Sequence, residues 1–231
     1  MRSIHDNLQA VRERVARAAQ AAGRAPESVV LLAVSKTHPA VRVKEALDAG
    51  QRRLGENYVQ EAVEKMDLLG GEGAPRPEWH LIGPLQSNKT RLVAERFDWV
   101  QSVESEKIAR RLSGQRSGNL PPLNVLLQVN VSGEASKSGV APADVPALAD
   151  AVARLPRLRL RGLMAIPEPG APRERYRELK ALFDRLAPAL RWDTLSVGMS
   201  DDMETAIEEG STMVRVGTAI FGAREYPKAA A

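Results

Sequence analysis

Lysine 36 is the residue of this chain best placed for covalent chemistry. Six apolar residues, Val29 to Val34, run into Ser35-Lys36-Thr37. At the C-terminal end of a strand, partial burial disfavours the ammonium form and lowers the pKa of the amine. A neutral amine condenses with an aldehyde. A solvated lysine at the end of a strand is the plainer alternative, and position alone favours it. Other chemistries find less support. The chain has no cysteine, so it has no thiol nucleophile, thiolate metal site or disulfide, in keeping with a reducing compartment. Its three histidines, His5, His38 and His80, lack the close helical spacing of a hydrolytic zinc site, and no Asp/Gly-rich calcium loop is present.

Two further stretches suit an anion. Ser196-Val197-Gly198-Met199-Ser200-Asp201-Asp202 reads as a turn that opens a helix, whose amides and Ser200 hydroxyl could hold a phosphate. Ser200 or Asp201 would serve equally well as an ordinary N-cap. In Val214-Arg215-Val216-Gly217-Thr218, Gly217 permits close backbone approach and Thr218 starts a helix. Arg215 alternates with two valines, so it points either into the sheet's enclosed side or toward helices, and either place demands a partner. That partner is a structural carboxylate or a ligand atom. Asn57, in Gly55-Glu56-Asn57-Tyr58, and His80, in Trp79-His80-Leu81-Ile82-Gly83, are candidates for the same face; each alone reads equally well as structural.

These residues need a scaffold that gathers strand ends. Eight strand-like runs lie near Val29 to Val34, Arg53 to Leu54, His80 to Ile82, Trp99 to Ser102, Asn124 to Asn130, Arg159 to Ala165, Thr194 to Val197 and Met213 to Val216. Helical segments follow them. Such alternation implies a parallel sheet with right-handed crossovers, and eight units is the number that closes an α/β (TIM) barrel, with an open doubly wound sheet as the alternative. An amphipathic first helix, about Ser3 to Ala22, precedes the first run, and Gly70 to Pro77 reads as a variable surface loop. The 231 residues are expected to form one domain, with its chemistry at the C-terminal strand ends and a phosphate site after strands seven and eight. No run approaches the roughly 18 residues of a membrane span, and the charged N-terminus lacks a signal-peptide core, so a cytoplasmic protein is expected. The pI is near 9.6, yet 33 basic against 29 acidic residues leave only +4, a weak field for nucleic acid.

The strings AVSKT, GENYVQE, WHLIGPLQSNK, SKSG, GLMAI, SVGMSDDMETAI and GSTMVRVGTAIFG, in order from Val29 to Gly222, closely resemble the pyridoxal phosphate homeostasis protein family, also called YggS or PROSC. The resemblance implies a barrel like the N-terminal domain of alanine racemase and pyridoxal 5′-phosphate (PLP) bound as a Schiff base on Lys36. It implies that Ser200, Gly217 and Thr218 hold the phosphate, that Arg215 approaches the pyridine nitrogen, and that Asn57 and His80 line the pocket. Val197 departs from the methionine common in the family before Gly-Met-Ser, and leaves the phosphate turn intact. Lys36 stands above Lys89 and Lys137, which do not directly follow an apolar strand.

A racemase of this fold class needs a second acid or base, supplied in alanine racemase by a C-terminal β-domain. Phe221 to Ala231 is too short for one, and Tyr58, Tyr176 and Tyr226 are not obviously placed as substitutes. A permanent charge on Arg215 at the pyridine nitrogen would also weaken the ring as an electron sink. The expected function is therefore a carrier or regulator in vitamin B6 homeostasis that buffers PLP or delivers it to apoenzymes, acting as a monomer without robust turnover. A weak amino-acid racemase or lyase is the alternative. A nucleic-acid binder is a third reading, motivated by Arg154, Arg157, Arg159 and Arg161, which are better read as solvated faces.

Overall fold

Ser3 begins the chain's first helix by accepting the Asp6 amide at 3.1 Å, while its own amide donates to the Asp6 carboxylate at 3.3 Å. This reciprocal cap satisfies two donors that a helix start would leave unpaired. In the computed structural model, which describes residues 3–70, 76–134 and 137–223, the helix α1 spans Ile4–Ala21. It buries Ile4, Leu8, Val11, Val15, Ala18 and Ala19 along one stripe.

Eight strands follow: β1 (Val30–Val34), β2 (Arg53–Glu56), β3 (Glu78–Leu81), β4 (Trp99–Val103), β5 (Leu123–Val129), β6 (Leu158–Ala165), β7 (Thr194–Ser196) and β8 (Met213–Val216). Each pairs in parallel with the next, and β8 pairs with β1 through Leu32↔Arg215 and its neighbours, so the sheet closes. The open doubly wound alternative is thereby excluded. After each strand comes a helix: α2 (Ala40–Asp48), α3 (Val59–Leu69), α4 (Thr90–Arg96), α5 (Glu106–Gln115), α6 (Val145–Ala153), α7 (Arg173–Leu190), α8 (Met203–Glu208) and α9 (Thr218–Phe221). None of the described helices is long and apolar enough to cross a membrane.

All eight strands lie where the sequence places them, but β2 is longer than its apolar run, extending to Glu56. Gly55 faces the barrel interior, where the Leu32 and Ile82 side chains occupy the space its own would take. Glu56 faces outward and is held by charge partners rather than by apolar packing. Neither residue carries a hydrophobic signal.

The main core lies between strands and helices, and the barrel interior holds two smaller apolar clusters, Leu32, Val34, Ile82 and Met213, and Trp99, Leu126 and Met164. The helix α1 packs on α2, α8 and α9 of its own barrel. Asn7 Nδ2 donates to the Ile220 carbonyl at 2.9 Å, and Arg14 pairs with Glu204 at 2.8 Å. Residues 71–75 of the Gly70 to Pro77 loop, Ser136 of the SKSG string and Tyr226 lie outside the described residues.

Gly162 sits where β6 passes a bulge against β5, at φ = 146°. A Cβ there would meet the Thr194 carbonyl oxygen at 2.0 Å and the Phe183 ring at 2.9 Å. Gly162→Ala is therefore expected to lose at least about 2 kcal/mol of stability in urea unfolding; an unchanged midpoint would refute this account of the bulge.

Candidate functional site

Arg215 is the buried charge about which the site is organised. Its side chain is only 3% exposed and reaches across the barrel interior from β8 to the ends of β7 and β6. Nη1 donates to the Ser196 carbonyl and hydroxyl oxygens and Nη2 to the Ala165 carbonyl, all at 2.8 Å. No carboxylate of the described residues comes within ion-pair distance, so the structural salt bridge offered by the sequence is not its partner. Three of five N–H donors are used, and the other two have no acceptor among the described residues. Burial pushes the guanidinium down to about 10, with the field of Asp202 opposing, so it stays charged at neutral pH.

Below Arg215 runs a chain of polar side chains. Since the Ser196 hydroxyl accepts from Arg215, it must donate to Gln101 Oε1, at 2.7 Å. Gln101 Nε2 then faces His80 Nδ1 at 2.9 Å, and His80 Nε2 faces Glu78 Oε1 at 2.9 Å. The acceptor role of Nδ1 makes Nε2 the protonated nitrogen. Every donor points from Arg215 toward the Glu78 carboxylate. His80 is fully buried and stacks on Trp99 at 5.0 Å. Both of its ring nitrogens are engaged inside the barrel, by Gln101 and Glu78.

Lys36 stands in the turn directly after β1, half-buried, in phase with the interior residues Leu32 and Val34. Thr37 follows in the left-handed region at φ = 66°, a conformation that costs a β-branched residue about 1–3 kcal/mol. Its amide donates to Glu61 Oε1 at 2.6 Å. Beside this turn Asn57 directly follows β2, and its Oδ1 is buried without a hydrogen-bond partner. Such an atom lacks a donor and loses free energy until one arrives.

The two phosphate-suited turns are neighbours. The Arg215 amide donates to the Gly198 carbonyl at 3.0 Å. Asp202 accepts the Met199 amide at 2.5 Å and the Tyr176 hydroxyl at 2.6 Å, fixing the turn that holds Ser200. Arg14 of α1 reaches the Ser200 carbonyl at 3.3 Å. Gly217 lies so close to β1 that a Cβ would stand 3.1 Å from the Val34 carbonyl oxygen, and Thr218 is exposed at the start of α9. Lys36, Asn57, Ser200, Arg215, Gly217 and Thr218 thus stand at the C-terminal ends of β7, β8, β1 and β2, four consecutive strands. Next to them a cavity of about 330 Å³ opens, lined by Asn57, Ile82, Gln128, Lys137, Ile166 and Met199 among others. This is at the lower end of the size of ligand sites, about 300–1,000 Å³. Lys137 is held between Ser132 Oγ at 3.0 Å and Glu134 at 3.1 Å.

Sequence reasoning passed over Ser196, Gln101, Glu56, Glu61, Lys65 and Asp202. Ser196 and Gln101 carry a faint signal, being polar residues at inward positions of apolar strands. Of the arginines that suggested nucleic acid, Arg161 is committed to Asp193 at 2.6 Å and lies over Trp99.

The model of the family "Alanine racemase, N-terminal domain" matches residues 7–225. A pyridoxal phosphate homeostasis protein of Pseudomonas aeruginosa is 60% identical over 232 residues, covering 98% of each chain. The chain belongs to the pyridoxal phosphate homeostasis protein family. Another solved structure, PipY of Synechococcus elongatus PCC7942 with PLP bound, superposes with a TM-score of 0.83 at 37% identity, covering 95% of this chain and 100% of that one. Alanine racemase from Corynebacterium glutamicum shares the fold, with a TM-score of 0.67 at 17% identity over 94% of this chain and 62% of that one.

Burial holds the pKa of His80 below its usual value, against the opposing pull of Glu78. From about pH 6.5 downward the unfolded chain takes up a proton that native His80 refuses, so stability falls until the lower native pKa is reached. A His80→Asn variant, less stable at pH 7, should lose this component of the slope below about pH 6.5 in thermal melts; an unaltered slope would show that His80 is not its source.

Proposed function

We propose that this member of the pyridoxal phosphate homeostasis protein family binds PLP reversibly within a one-domain barrel, joined to Lys36 as a Schiff base, and buffers or delivers it to apoenzymes. The observation that carries this reading is Arg215, a buried cation with two N–H donors to spare and no carboxylate of the described residues in contact with it. A pyridine nitrogen with a free lone pair is an acceptor that fits, and the unpaired Asn57 Oδ1 suits a donor on the same ring system. Bound through its aldehyde carbon, with loss of water, PLP would supply an electron-withdrawing ring. Lys36 anchors it, Asn57 orients it, and Ser200, Gly217 and Thr218 receive its phosphate. PLP bound in PipY supports the choice of cofactor.

Two features favour a carrier over a catalyst. The permanent charge of Arg215 opposes protonation of the ring nitrogen and so weakens the ring as an electron sink. Among the described residues, Tyr176 has its hydroxyl bound to Asp202 and its pKa raised by burial, and Tyr58 is 57% exposed. Neither is poised as the second acid–base group. The apolar stripe of α1 is covered by its own barrel, which favours a monomer.

Borohydride reduction of the PLP-treated protein should leave a phosphopyridoxyl group on Lys36, absent from Lys36→Ala. Arg215→Gln should weaken PLP binding at least about tenfold, near 1.4 kcal/mol. Label on another lysine would overturn the anchor, and amino-acid racemisation or elimination abolished by Lys36→Ala would favour the weak-enzyme reading.

A further inference from the structure

Both peptide units that flank Lys36 are tied to one buried ammonium group that touches no part of the proposed cofactor site. Lys65 of α3 is 4% exposed, and its Nζ donates at 2.7 Å to each of three acceptors: the Ser35 carbonyl, Glu56 Oε1 and Glu61 Oε1. An ammonium has three donors, so Lys65 is saturated. Glu56 Oε1 also accepts the Ser35 hydroxyl at 2.6 Å, and Glu61 Oε1 accepts the Thr37 amide at 2.6 Å. Ser35 is thus held through its carbonyl and its hydroxyl, Thr37 through its amide, and Lys36 lies between them.

A buried ion cluster is a poor way to stabilise a fold, because apolar side chains of similar volume do as well or better. What the charges achieve here is directional. An apolar residue at position 65 would fill the space but could hold neither the Ser35 carbonyl nor the Glu61 carboxylate that fastens Thr37. The left-handed conformation of Thr37 then needs its tether, since that backbone region is unfavourable for a β-branched residue. Burial pushes the Glu56 carboxyl above its usual range while Lys65 pulls it back.

We propose that Lys65, with Glu56 and Glu61, is the positioning group that fixes the turn carrying Lys36, so that its amine meets the aldehyde in one orientation. This rests on the assignment of Lys36 as the PLP anchor. It also accounts for the acidic residues of GENYVQE, which no cofactor contact explains: they serve the lysine of AVSKT from outside the barrel wall.

The test compares the native protein with Glu61→Ala, Glu61→Gln and Lys65→Met. It measures the rate of borohydride-trapped label on Lys36 and, separately, the affinity for pyridoxine 5′-phosphate, an analogue with no aldehyde. Losing Lys65 leaves Glu56 buried without its cation and endangers folding, so Glu61→Ala, altered at a part-exposed carboxylate, is the decisive variant. Glu61→Ala should form the label at least about tenfold more slowly while binding the analogue as the native protein does. Glu61→Gln, which restores an acceptor for Thr37, should recover part of that rate. A folded Lys65→Met should be slower still. Native rates in Glu61→Ala, or a parallel loss of analogue binding that marks general damage, would overturn the proposal. Failure of the native protein to label Lys36 would instead refute the anchor assignment itself.

Discussion

Arg215 places a permanent positive charge inside a closed barrel with no carboxylate of the described residues in contact, and much of the surrounding architecture answers to that. Removing an ion from water costs several kcal/mol even after the protein relaxes. Here the compensation comes from oriented dipoles: two carbonyls and a hydroxyl at 2.8 Å, backed by Gln101, His80 and finally the Glu78 carboxylate. The Ser196 and Ala165 carbonyls are available because they sit at the ends of β7 and β6. The charge therefore depends on strand register as much as on side chains. In return, a guanidinium fixed this way has donors left over, and those donors give the mouth of the barrel its appetite for an acceptor.

The elements outside the barrel hold the strand ends still. Asp202 ties the backbone of Met199 to the hydroxyl of Tyr176 from α7, and Arg14 of the first helix reaches the Ser200 carbonyl. On the other side of β1, Lys65 does the same for Ser35. The residues proposed to touch a ligand are thus carried by turns whose own geometry is fixed by charged groups behind them. Preorganisation of this sort limits the ordering that binding would otherwise require.

The barrel itself was legible in the sequence, because eight strand-like runs separated by helical segments allow few closed arrangements, whereas the position of Lys36 fitted a solvated strand-end lysine as well, and only the resemblance of its string to the family singled it out. The turns at Ser200 and Gly217 were visible as chemistry and were expected side by side after strands seven and eight. What the sequence did not disclose is pairing across the fold. His80 opens its strand-like run, and only the closed sheet brings Gln101 of the next strand against its ring. Arg215 looked as though it needed an acid, and only the closed sheet brings Ser196 and Ala165 to it. Lys65 reads as one more polar residue on an amphipathic helix; its burial follows from the outward-facing Glu56, which no local pattern reveals.

The polar chain inside the barrel carries one further implication. Its donors all run one way, from guanidinium to carboxylate, so no member can be exchanged for a residue of opposite hydrogen-bonding sense without stranding the next. Glu78, His80, Gln101, Ser196 and Arg215 come from four strands scattered over more than half the chain, yet they form one unit of inheritance. In descendants of this sequence they should persist together or be replaced together, giving lineages of the fold a compact signature that local sequence comparison would overlook.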